Sequence, residues 1–152
     1  MMCKKIISVL LSLTLIMGAL IIAPLSASAE TTYESGEYSY VLVTKDEVTT
    51  AEITAYSGSD AALTIPDTLD GYTVGAIRWE AFRRKAFLTS VVIPDTVTFI
   101  ADYSFADNAN LESVTLPAYL DDLARASFSS CTALTEITLP ATITKCYANS
   151  GG

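Results

Sequence analysis

The segment LTSVVIPDTVTFIADYSFADNAN, from Leu88 to Asn110, returns as LESVTLPAYLDDLARASFSSCTA, from Leu111 to Ala133, matched position to position at an offset of 23 residues. Leu88, Leu111 and Leu134 share one phase, as do Pro94, Pro117 and Pro140, and as do Phe82, Phe105 and Phe128. A fixed period of roughly 20 to 50 residues marks supersecondary units that cannot bury their apolar side alone and must stack on their neighbours. The chain is therefore expected to wind as a solenoid, each turn touching only the turns before and after it.

Within each unit the pattern LxxVxIP alternates apolar and polar residues over its last positions, the signature of a short strand. Val91 and Ile93 are expected to face the core, with Val114 and Leu116, then Ile137 and Leu139, stacked behind them. The proline that follows has no amide to donate and ends the ladder. The return segment places Val97, Ile100 and Phe105 in phase with Leu120, Leu123 and Phe128, which predicts a second apolar wall with Phe wedged between layers. The fold class follows: a β-rich repeat solenoid, with a continuous parallel sheet on one face and short strands or helical or 3₁₀ turns on the other.

Upstream, YSYVLVTKDEVTTAEITAY, from Tyr38 to Tyr56, alternates on both sides of Lys45, Asp46 and Glu47 and reads as a hairpin outside the repeat's phase. We expect residues 30–59 to cover the first coil, and residues 60–152 to carry about three and a half repeats. The first unit holds five extra residues between Pro66 and Phe82, among them Asp70, Gly71 and Tyr72, which predict a turn. The fourth copy runs out: eleven residues after Pro140, where a Phe is due, stands Gly151. A repeat left incomplete implies a truncated array, or an open apolar layer through which the chain self-associates.

Residues 1–29 read as a signal peptide: Lys4 and Lys5, an apolar run from Ile6 to Ala23, and small residues leading to cleavage after Ala29. The expected destination is the cell surface or the extracellular medium. Loss of Lys4 and Lys5 leaves seven basic residues against seventeen acidic ones. That acidic balance disfavours nucleic acid and anionic lipid as partners, so the membrane enters only during export. Cys131 and Cys146 remain, and their different repeat phases put them on separate faces of the coil, too far apart to pair. The chain has no histidine, which excludes Ser-His-Asp and Cys-His catalysis and His-containing zinc sites.

The pattern LxxVxIPxxVxxIxxxxF, with Asn108 or Cys131 three residues beyond the Phe, resembles the BspA-type leucine-rich repeat of secreted bacterial surface proteins. The resemblance runs over about residues 38–150 and is strongest in the Phe105 and Phe128 copies. It departs at Ile77–Phe82, where Arg78, Trp79 and Glu80 replace a Gly-Asp pair, and at Arg83, Arg84 and Lys85, which replace a small-residue turn. The family implies adhesion or recognition of an extracellular protein or glycan. If the strand face binds, the outward positions are Ser90, Val92, Ser113, Thr115, Glu136 and Thr138. A second candidate is the basic concentration of Arg78, Arg83, Arg84 and Lys85 around Trp79, suited to an acidic glycan or anionic protein. Adjacent carboxylates such as Asp121 and Asp122 diverge along an extended segment, and no nucleophile, phosphate loop, metal site or cofactor motif is present. The expected function is a non-catalytic interaction module; the alternative is a structural spacer or a fragment of a larger surface protein without binding activity of its own.

Overall fold

The computed structural model describes residues 30–146; the expected signal peptide, residues 1–29, lies outside them. The described chain opens with an antiparallel meander, β1 (Thr32–Ser35), β2 (Tyr38–Lys45) and β3 (Val48–Tyr56). Lys45 pairs with Val48, so the β2–β3 connection is a two-residue turn in which Asp46 and Glu47 both take left-handed φ values, 48° and 65°. Such a turn twists with the strands it joins. The chain then forms β4 (Ala62–Thr64), β5 (Thr68–Leu69) and β6 (Tyr72–Ile77). Asp70 and Gly71, inside the first unit's extra segment, make the tight β5–β6 turn at φ 49° and 87°.

From there the chain coils: β7 (Ser90–Val92) then β8 (Phe99–Ile100), β9 (Ser113–Thr115) then β10 (Asp122–Leu123), and finally β11 (Lys145–Cys146). Strands β4, β7 and β9 form one parallel sheet, in which Leu63, Val91 and Val114 share a row. Strands β6, β8, β10 and β11 form the opposite wall, also parallel, with Ile77, Ile100, Leu123 and Cys146 in register. The meander joins this second wall through parallel pairing of β3 with β6, which places Ile53 beside Ile77. The product is a two-walled β-solenoid.

Between the walls runs a column of rings. Phe82 and Phe105 stack with centroids 4.9 Å apart and planes 6° from parallel, and Phe105 and Phe128 repeat the arrangement at 5.3 Å and 8°. Tyr56 of β3 extends the column, 5.5 Å from Phe82, and Tyr38 follows at 5.1 Å from Tyr56. Each stacked pair contributes on the order of 0.5–1.5 kcal/mol beyond the area it buries. The backbone turns sharply around each Phe. The residues two before and two after it are left-handed in every copy: Glu80 and Arg84, Tyr103 and Asp107, Ala126 and Ser130, all with φ between 56° and 61°. This conformation costs a side-chain-bearing residue about 1–2 kcal/mol and persists because hydrogen bonds from the next coil fix the turn. Phe82 N–H donates to the Ser104 carbonyl at 2.8 Å, and Phe105 N–H to that of Ser127 at 2.8 Å.

Two expectations change. The return face carries short strands and turns, with no helix among the described residues. The fourth LxxVxIP copy forms no ladder: Glu136 to Thr138 is not a strand, and Leu139, expected in the core, is 42% exposed. Its counterparts Ile93 and Leu116 have a described coil stacked beyond them, whereas Leu139 has none, so its burial is one-sided.

Candidate functional site

Four of the six sheet-face positions form an ordered grid. Ala62, Ser90 and Ser113 stand in one column, and Thr64, Val92 and Thr115 in the next, set by the registers of β4, β7 and β9. Val92, Ser113 and Thr115 are exposed and Ser90 is half-buried. Successive residues within a column stand at the spacing of paired strands, about 4.8 Å. The remaining two, Glu136 and Thr138, are exposed on the same repeat phase but outside the ladder. The grid offers small hydroxyl and methyl groups without charge, able to accept an extended chain along its length.

The basic concentration is divided, and its three arginines are paired with acids. Arg78 bonds through Nε to Glu52 at 2.8 Å and through Nη1 to Glu30 at 2.5 Å. The Glu30 hydrogen bond, followed by the charge of Glu52, holds its pKa above the ordinary value. Arg83 lies elsewhere, in the turn after Phe82, and binds Asp107 at 2.8 Å and Glu80. Arg84 reaches the same Asp107 at 3.4 Å. Arg83 also lies over the Tyr103 ring, 5.8 Å from its centroid. The Arg83 hydrogen bond in turn keeps the Asp107 carboxyl below its usual range. Lys85 is held through its backbone, whose N–H donates to Asn108 Oδ1 at 2.6 Å. Apart from Glu80, the acids that pair with these cations, Glu30, Glu52 and Asp107, lie 23 to 48 residues away, which is why the run Arg78 to Lys85 reads as unbalanced charge in the sequence alone.

Trp79 is separate from those pairs in role. It is 62% exposed and borders a groove of about 640 Å³ on the outer side of the second wall. Phe99 of β8, 39% exposed, lines the same groove with Arg78, Glu52 and Glu30, and Val43, Lys45 and Thr54 of the meander complete it. The sequence named Trp79 and Arg78 only as members of the basic concentration, and the rest of the groove was not foreseen. One signal was available: Phe99 sits in the outward phase of the return segment, where the next copies have Asp122 and Lys145, and a ring there has no core to fill.

Asn108 and Cys131 do related work on the inside. Asn108, fully buried, donates through Nδ2 to the carbonyls of Phe82 at 2.9 Å and Phe105 at 2.8 Å. One coil later the buried Cys131 thiol donates to the Phe105 carbonyl at 3.2 Å. Burial pushes this thiol's pKa up, so it remains a protonated donor and a poor nucleophile. Cys131 carries a free thiol; β11 places the Cys146 backbone opposite Leu123 on the second wall. Among the described residues no group of three His, Cys, Asp or Glu side chains could hold a metal ion.

Two parallel walls, a 23-residue coil and a Phe column with an Asn or Cys staple define a β-solenoid of leucine-rich repeats. The family model for the BspA type leucine-rich repeat region matches residues 61–150 in six copies, and the chain belongs to that family. Its fold is similar to a leucine-rich repeat protein of Bacteroides capillosus, with a TM-score of 0.68 and 31% identity over 76% of this chain and 87% of that one. It is similar also to the leucine-rich repeat protein of T. pallidum, with a TM-score of 0.66 and 28% identity over 70% of this chain. A leucine-rich cell surface protein of Faecalibacterium prausnitzii matches with a TM-score of 0.62 and 36% identity over 70% of this chain. The chain spans 49% of the T. pallidum protein and 30% of the Faecalibacterium protein. No curated protein matches it.

Proposed function

We propose that the protein is a secreted or cell-surface, non-catalytic interaction module whose β4–β7–β9 face engages an extended extracellular protein. The observation that carries this reading is the uncharged grid of Ser90, Val92, Ser113 and Thr115, repeated at strand spacing and exposed. Many weak contacts along such a face add up for a long partner and fail for a small molecule. Export is supported by residues 1–29 and by the likeness to a protein described as a cell surface protein. Adhesion is the physiological role this arrangement serves best. The test is binding of the chain to an immobilised panel of extracellular-matrix proteins, compared with a Ser113→Arg/Thr115→Arg variant. Binding that is lost in the variant supports the reading. Binding that the variant retains moves the contact off the sheet face.

A second reading has its own support. The chain spans half or less of two of the larger proteins it resembles, so these repeats also suit a spacer that presents other parts of a longer surface protein. In that case the panel binds neither version of the chain.

A further inference from the structure

We propose that the groove between Trp79 and Phe99 binds an uncharged saccharide, on the wall opposite the sheet face. The inference extends the interaction-module reading to a second surface and a different ligand class.

The argument starts from what the two rings lack. Every Phe in the column between the walls has a ring partner, but Trp79 and Phe99 point away from it, 62% and 39% exposed. An indole left in water for packing reasons alone is a poor use of a large apolar surface. Both line one groove of about 640 Å³, within the range of roughly 300–1,000 Å³ that small-ligand clefts occupy.

The polar groups of the groove narrow the ligand. Glu30 and Glu52 both pair with Arg78, and Lys45 also lines the groove, so its charged side chains sum to zero and give an anion or a cation little advantage. The two ion pairs use only part of Arg78's donor set, and each carboxylate retains acceptor capacity. Planar donors and acceptors held rigid by their own pairing are suited to vicinal hydroxyls. The exposed ring faces are suited to the apolar C–H face of a pyranose. A hydroxyl-rich neutral ring presents both surfaces at once; a peptide or an acyl chain presents one.

The meander supplies one side of the groove through Val43, Glu52 and Thr54, while Trp79 follows β6 and Phe99 lies in β8. Pairing of β3 with β6 and of β6 with β8 fixes these parts relative to one another. The ligand therefore meets a preformed site, with little ordering cost on binding.

Trp79 is the protein's only tryptophan, so its emission reports on this site alone. The full chain is titrated with neutral oligosaccharides of glucose, mannose, xylose and galactose, with heparin as the polyanion control. The expected result is a saturable change in emission with at least one neutral oligosaccharide and none with heparin. Trp79→Ala and Phe99→Ala, checked for fold by circular dichroism, are compared by retardation in gels containing the matching polysaccharide. Each is expected to weaken retardation by about tenfold or more, as loss of an aromatic anchor does. No response to any neutral sugar, a response to heparin alone, or full retardation of both variants would overturn the proposal. The Ser113→Arg/Thr115→Arg variant separates the two surfaces: it should keep saccharide binding even where matrix-protein binding is lost.

Discussion

Asn108 joins two coils through one side chain: its Nδ2 donates to the carbonyl of Phe82, 26 residues earlier, at 2.9 Å and to that of Phe105 in its own coil at 2.8 Å. Its Oδ1 accepts the Lys85 N–H at 2.6 Å, so both ends of the amide are satisfied with no exposure to water. The three partners are backbone groups of the turns that carry the Phe column. A buried amide here fixes the distance between successive rings.

Asn108→Ala should therefore destabilise the fold by about 2–4 kcal/mol, since it strands the buried Phe82 carbonyl and the Lys85 N–H and leaves the Phe105 carbonyl with the Cys131 thiol alone. Asn108→Cys should cost less, because Cys131 already makes one of these bonds in the equivalent position. Urea unfolding followed by circular dichroism separates the two; equal losses would mean that the thiol does not take over the amide's bond.

Ser104 and Ser127 share a repeat phase and are both buried, yet only Ser127 is bonded, donating to the Ala124 carbonyl at 2.6 Å. The Ser104 hydroxyl finds no partner among the described residues. Ala81 fills the same phase one coil earlier. Ser104→Ala should be neutral or stabilising by up to about 1 kcal/mol, and Ser127→Ala should destabilise by about 1 kcal/mol. Paired urea midpoints check the contrast in sign.

Glu47 is exposed and left-handed at φ 65° in the β2–β3 turn, a place where glycine is free of the steric cost. Glu47→Gly is expected to stabilise the protein by about 0.5–1 kcal/mol, the net of relieved strain and added unfolded-state entropy. A higher melting temperature in a thermal scan is the outcome; a lower one would mean that entropy dominates at this turn.

Tyr38 is pushed from 10.0 to about 12, by burial first and then by the Asp60 and Glu37 carboxylates, and Tyr56 is raised as well, by burial and its hydrogen bonds to the same two acids. Above pH 10 the unfolded chain releases these phenolic protons while the folded chain keeps them. The unfolded state then binds fewer protons, so stability is intact below pH 10 and falls as pH rises from about 10 towards about 12. Urea midpoints measured across that window should decline, and Tyr38→Phe should flatten part of the decline.

The contrast between the fourth coil and the others shows how far a repeat pattern reaches. Ile137 and Leu139 carry the same alternation as Val91 and Ile93, and the sequence reading gave them the same place in the core. Val91 and Ile93 are buried because layers lie on both sides of them, while Leu139 has a described layer on one side only. Alternation sets which way a side chain points; stacking decides whether it is covered.

The 23-residue period, the strand phase of LxxVxIP, the inward Phe, the β2–β3 hairpin and the Asp70–Gly71 turn were all legible in the sequence, because each depends on residues close along the chain or on exact recurrence. The family followed from the same recurrence. The charge pairing of Arg78, Arg83 and Arg84, the Asn108 staple and the Trp79–Phe99 groove were decided only in three dimensions. Most of their parts lie 20 or more residues apart, several of them in a meander that has no repeat phase, and for the groove it is parallel pairing of β3, β6 and β8 that brings them together. A local pattern can announce that walls will form, but which side chains face one another across them depends on register, and register is fixed by packing the whole stack.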